Sequence, residues 1–130
     1  MPLQSFDEYA PINYLTEWDS STATAAYQTV ANGAAIRVRI DSFLATNDDA
    51  VNHVIDFAIN HDATDFYVGA VSVPAGAGNA GTPPYDVGAA LFAAATPYWR
   101  LNENEQLRAS LAVALGAGSH IRLIGSAGQV

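Results

Sequence analysis

The side chains able to do chemistry are few, and their spacing limits what each can do. The imidazoles are His53, His61 and His120, and there is no cysteine. His53 and His61 flank one expected strand, so at ~3.3 Å per residue they stand too far apart to share a metal ion. Asp62 and Asp65 lie in the turn after His61. A weak cation site there would need alternating oxygen ligands in a calcium-loop spacing, which this turn lacks. Acidic turn formers explain it better. Gly76, Gly78 and Gly81 repeat the spacing of a dinucleotide fingerprint, but Thr82, Pro83 and Pro84 follow where a phosphate-binding helix would have to open. A flexible surface loop is expected instead. No serine sits in a nucleophile elbow. Glu103 and Glu105 fall in a polar turn, and no carboxylate pair stands out for glycoside cleavage. No catalytic residue, cofactor or metal ligand is expected, and the chain reads as a structural or binding module rather than an enzyme.

Two groups are candidates for contact with a partner. Tyr98, Trp99 and Arg100 put two aromatics beside a guanidinium, a set that can stack on a glycan or anchor a protein. The plainer reading has Trp99 capping the core. Phe6, Tyr9, Tyr14 and Trp18 crowd the first 21 residues, among Asp7, Glu8, Glu17 and Asp19. That stretch shows no clean period, and Pro2 and Pro11 interrupt it. An extended N-terminal arm over residues 1–21 is expected, packed on its own domain or on a neighbour, with the four aromatics as an assembly contact. Arg37 and Arg39 share a strand face and are expected to be solvated or ion-paired.

The elements that position these groups are strands. Residues 22–30 are rich in Thr, Tyr and Val, and Asn32-Gly33 signals a tight turn. Ile36, Val38 and Ile40 then alternate with Arg37, Arg39 and Asp41. Ile55, Phe57 and Ile59 alternate with Val54, Asp56 and Ala58. Residues 66–73 form a further strand with a bulge expected at Gly69. Residues 87–96 are Ala-rich and suit a short helix or a buried segment. Leu107, Leu111, Val113 and Leu115 share one face of the clearest alternation, and residues 120–124 make the last strand before the chain trails off. Short, evenly spaced strands with no long helical pattern predict an all-β fold, an antiparallel β-sandwich or jelly roll over residues 22–130. Its expected core is Ile36, Val38, Ile40, Ile55, Phe57, Ile59, Leu107, Leu111, Val113, Ile121 and Leu123.

Composition narrows the partners. The chain has 130 residues, 50% of them hydrophobic and 14% charged, with a net charge of −8. Its five basic residues are all arginines, set against thirteen carboxylates. A nucleic acid or an anionic membrane surface asks for clustered basic side chains, so neither is an expected partner. The first ten residues lack the basic n-region of a signal peptide. The low share of charge suits a surface partly covered by an assembly interface.

From residue 35 to 128 the order of features resembles small virion proteins of tailed bacteriophages. The phrases are Phe43-Leu44-Ala45-Thr46-Asn47, Val73-Pro74-Ala75-Gly76-Ala77-Gly78, Pro83-Pro84-Tyr85-Asp86, Glu105-Gln106-Leu107-Arg108-Ala109 and Leu115-Gly116-Ala117-Gly118. The resemblance implies a β-sandwich unit that decorates or cements a capsid. Its partners would be the major capsid protein or neighbouring virion proteins, and its place the capsid surface. It would be a homo-oligomer, with a trimer as one form. It also leaves open a head-spike or fibre-base module that binds a host receptor or glycan through Tyr98, Trp99 and Arg100.

Overall fold

The computed structural model describes residues 11–33, 37–79, 81–92 and 99–129. Among the described residues nine strands form two antiparallel sheets: β1 (Pro11–Asp19), β2 (Gln28–Asn32), β3 (Val38–Asn47), β4 (His53–His61), β5 (Thr64–Val73), β6 (Tyr85–Asp86), β7 (Trp99–Leu101), β8 (Glu105–Leu111) and β9 (His120–Gln129). The first sheet runs β1-β9-β3, with the short β6 and β7 both pairing on β3; the second runs β2-β8-β4-β5. The alternating apolar sets face each other between the sheets. Trp18, Val38, Ile40, Phe43, Leu101, Ile121 and Leu123 come from the first sheet, and Val30, Ile55, Phe57, Leu107 and Leu111 from the second. Each large side chain so buried stabilises by about 1.5–3 kcal/mol relative to exposure. The expected all-β sandwich is therefore the fold. Among the described residues helix is confined to α1 (Val87–Leu91), where Asp86 caps the first turn by accepting from the Ala89 N–H at 2.9 Å. No helix among them is long and apolar enough to cross a membrane.

Several expectations need correcting. The second half of the expected arm is strand β1, hydrogen-bonded to β9 in unbroken register from Pro11↔Gly128 to Asp19↔His120. Ile12, Tyr14, Thr16 and Trp18 take its inner positions and Leu15 and Glu17 its outer ones. Residues 1–10 lie outside the described residues. Asn32-Gly33 does not close a hairpin, because β2 and β3 belong to different sheets. Gly33 serves close approach instead, since a Cβ there would lie 2.7 Å from the Asn102 carbonyl oxygen. Residues 22–27 are irregular chain with a turn at residues 24–25, and β2 starts only at Gln28. β8 ends at Leu111, which leaves Val113 65% exposed rather than in the core. Ile59 is only half-buried, and Ile36 lies outside the described residues.

The bulge at Gly69 is present. Phe57 pairs with Gly69 and Ala58 with Tyr67, so Val68 is the extra residue. The hairpin that follows β4 turns on Asp62 and Ala63, both at positive φ (49° and 64°), between the paired His61 and Thr64. That is the turn type whose twist suits a two-residue hairpin. β9 continues through the glycine-rich end, where the sequence suggested only a tail.

Candidate functional site

The outer face of the first sheet holds five rows of side chains running across β1, β9 and β3. The strand registers define them. Asp19 and His120 form the first row, with Asp48 beside them. Glu17, Arg122 and Thr46 form the second. Leu15, Ile124 and Leu44 form the third, which Asp86 extends. Asn13, Ser126 and Ser42 form the fourth. Arg39 and Arg100, beside Gly128, form the fifth. The rows alternate with the buried positions of the same strands, so local β geometry alone sends these side chains outward.

The middle row is apolar and open to solvent: Leu15 is 76% exposed, Ile124 41% and Leu44 36%. A shallow hollow runs beside it, lined by Leu15, Thr16, Glu17, Arg122, Leu123 and Ile124. Its single acid is already engaged, because the Arg122 Nε donates to Glu17 at 2.6 Å. At one end of the face the charges are acidic. The His120 N–H donates to the Asp48 carboxylate, and the His120 ring lies 3.5 Å from it. Asp19 accepts from the Ser21 hydroxyl and N–H, and these bonds hold its carboxyl below the usual value. At the other end stand Arg39 and Arg100; the Arg39 Nε donates to Asp41 at 2.9 Å.

Behind the acidic end a buried network ties the loops together. His53 is buried and donates from Nε2 to Asp49 at 2.7 Å. Asp49 also accepts from the N–H groups of Gly116 and Ala50. The His53 bond first, then those N–H groups, pull the Asp49 pKa down to about 2. Asn47, fully buried, donates to the carbonyls of Val51 and Val73, and its own N–H donates to the Ala77 carbonyl. The glycine-rich loop is thus docked rather than loose: Ala77 is buried, and Gly76, Gly78 and Gly81 take positive φ in successive turns.

The second sheet exposes Val54, Phe66 and Tyr67 among polar side chains. The Tyr67 hydroxyl donates to Asp56 at 3.4 Å, Asn60 to Asp65 at 2.8 Å, and Arg108 to the Tyr27 carbonyl at 3.2 Å. Burial of its hydroxyl, then the Asp56 charge, raises the Tyr67 pKa.

The structure distributes the expected site residues widely. Trp18 is fully buried in this chain's own core, so it cannot be a contact to a neighbour. Tyr14 is half-buried and its hydroxyl donates to the Asn32 carbonyl at 3.1 Å, which ties β1 to β2. Phe6, Tyr9 and Tyr98 lie outside the described residues. The backbone of Trp99 pairs with Ile40, and Arg100 is exposed opposite Arg39. Leu15, Leu44 and Ile124 form an exposed apolar row that was not singled out from the sequence. Their signal is three aliphatics at the outward positions of strands that already have full inner sets. Among the described residues no three His, Asp or Glu side chains gather to hold a metal ion.

No protein-family model matches this chain, and no curated protein does. Among solved structures it is similar to the Clostridium thermocellum N-terminal endo-1,4-beta-D-xylanase 10B CBM22-1-GH10 modules complexed with xylohexaose, at 9% identity and a TM-score of 0.47. That match covers 96% of this chain and 26% of the other, so this chain spans about a quarter of that protein's length.

Proposed function

We propose that this chain is a non-catalytic structural virion protein that decorates or cements a tailed-bacteriophage capsid, and that its contact with the major capsid protein or neighbouring virion proteins is the outer face of the first sheet. The observation that carries this reading is the exposed apolar row Leu15–Ile124–Leu44, set on a rigid sheet and flanked by the Glu17–Arg122 pair. The likeness of its sequence phrases to phage virion proteins supports the same role. Partial burial of three aliphatics is worth about 1–2 kcal/mol each, against an association cost of about 4–15 kcal/mol. One such face makes a weak pair, and a lattice of repeated contacts makes a stable one. Residues 1–10, with Phe6 and Tyr9, are a further tie between copies in this reading. The test is incorporation of Ile124→Asp into particles in place of the parent chain. Exclusion of the folded variant supports the role, and occupancy equal to the parent's refutes it.

Receptor or glycan binding is a second reading, favoured by Tyr67. Its ring is 63% exposed on the outer face of the second sheet while its hydroxyl is held by Asp56. Retention of the parent chain and loss of Tyr67→Ala on a glycan array would support it, and no retention of either would end it.

A further inference from the structure

We infer that strand β1 pairs edge to edge with β1 of a second copy, antiparallel about a two-fold axis through Leu15, so that the first sheets of the two copies join into one. The inference goes beyond the virion role and does not rest on it. The other sheet edges are blunted in ways that discourage pairing. β6 and β7 have two and three residues, and β2 has five with a register shift between Thr29 and Ala31. β5 carries the bulge at Val68, with Leu91 of α1 beside Gly69. β1 has none of these devices: it runs nine residues in unbroken register and, among the described residues, pairs only with β9. At its centre Leu15 is 76% exposed, more than any other large apolar side chain among the described residues.

The backbone of β1 decides what its edge can receive. The Asp19 N–H donates to the Thr22 hydroxyl at 3.0 Å, and the Asp19 carbonyl accepts from the Thr22 N–H at 3.1 Å. Its partner in β9, His120, donates its N–H to the Asp48 carboxylate and accepts at its carbonyl from the Asp48 N–H. Asp19 and His120 therefore exchange no ladder bonds, and pairs of that kind alternate along an antiparallel ladder. Glu17, Leu15, Asn13 and Pro11 are the next in turn, so Glu17, Leu15 and Asn13 aim their N–H and C=O groups away from β9, at the open edge. Pro11 ends the run because it has no N–H, and Asp19 ends it because Thr22 holds its groups. About a two-fold through Leu15, Leu15 bonds to its own counterpart and Asn13 to Glu17 of the second copy, which pairs every one of these groups. An axis at Tyr14 would set Glu17 against Pro11, and an axis at Thr16 would set Asn13 against Asp19; either loses bonds. The Leu15 axis also joins the two exposed leucines and faces Glu17 with an Asn13 amide able to donate to it. Such self-complementarity is what a two-fold contact between identical chains requires, and it makes the occupant a second copy rather than an arbitrary strand.

The experiment uses the full chain, which has no cysteine of its own. Sedimentation velocity over a series reaching about 1 mM should show a reversible monomer–dimer equilibrium. Leu15→Pro removes an edge N–H that β9 does not use, so the folded variant should dimerise about tenfold more weakly or less still. Asn13→Arg faces Glu17 of the second copy and should tighten the dimer, while Asn13→Glu should weaken it, each by about threefold or more. Paired Leu15 Cα atoms would stand ~5.5 Å apart, within disulfide reach, so Leu15→Cys should oxidise to a covalent dimer. Ile124→Cys should not, because three strand spacings of ~4.8 Å would separate the two copies at that position. A parent chain that stays monomeric throughout, a folded Leu15→Pro chain that dimerises like the parent, equal dissociation constants for the two Asn13 variants, or coupling of Ile124→Cys as readily as Leu15→Cys overturns the pairing. If Leu15→Pro does not fold, the Asn13 variants and the two cysteine variants decide.

Discussion

Replacing Gly125 by alanine tests how the two aromatic residues beside it are accommodated. Gly125 sits on the inner side of β9, paired with Phe43 on one flank and Tyr14 on the other. A Cβ at this position would lie 2.5 Å from Phe43 Cε1, 3.0 Å from Cδ1 and 3.1 Å from Cζ. Carbon atoms in contact prefer ~3.5–4.0 Å, so the ring or the strand must move by about 1 Å. Phe43 is fully buried and its ring is rigid, which leaves little room to yield. Overpacking of this kind costs about 1–3 kcal/mol. For a chain of this length that is about 3–5 °C of melting temperature per kcal/mol. Phe43→Leu alone should cost about 1–2 kcal/mol by leaving space above the glycine. The double variant should fill that space with the new methyl group. Its cost should therefore fall short of the summed single costs by about 1 kcal/mol or more, because the two side chains touch. Urea unfolding of the four proteins, followed by intrinsic tryptophan fluorescence, measures the cycle. A Gly125→Ala cost under about 0.5 kcal/mol, or strict additivity within that margin, would show that the ring does not occupy the glycine's space.

Three further outcomes follow from the same geometry. Trp18→Ala should destabilise by about 3–5 kcal/mol in urea unfolding; Trp18→Phe should cost less, because the indole N–H it removes is buried with no acceptor among the described residues. A loss under about 1 kcal/mol for the alanine variant would return Trp18 to the role of an external contact. Ala63→Gly should raise stability by about 0.5–1 kcal/mol, since Ala63 pays for a left-handed conformation (φ 64°) that glycine adopts freely, less the glycine's larger unfolded-state entropy; a lower melting temperature would contradict the turn. The Asp49 pKa is depressed in the fold, so its stabilisation is complete above the ordinary carboxylate value of 3.8 and fades as pH falls through about 2. Urea midpoints should therefore decline between about pH 4 and 2, more shallowly in Asp49→Asn; identical slopes would assign the acid loss to other groups.

Most of the strands are legible in the sequence, because a period of two needs only local stereochemistry. Val38 and Ile40, Ile55 and Phe57, and Leu107 and Leu111 announce their strands and their buried face. Gly69 likewise marks its bulge before any contact is known. β1 was masked although its inner set of Ile12, Tyr14, Thr16 and Trp18 obeys the same period. Leu15, apolar yet exposed at an outward position, breaks the apparent alternation. The tail of β9 was hidden for the opposite reason. Gly125 has poor strand propensity, and its value appears only when Phe43 arrives from a strand more than eighty residues away to fill the space. The outer face follows the same logic. The members of each row come from different strands, and only the registers of β1, β9 and β3 bring Leu15, Ile124 and Leu44 side by side. Periodicity tells which way a side chain points, because that is set by its own backbone. Which side chains it stands beside is set by pairing across long loops, and only the tertiary structure decides that.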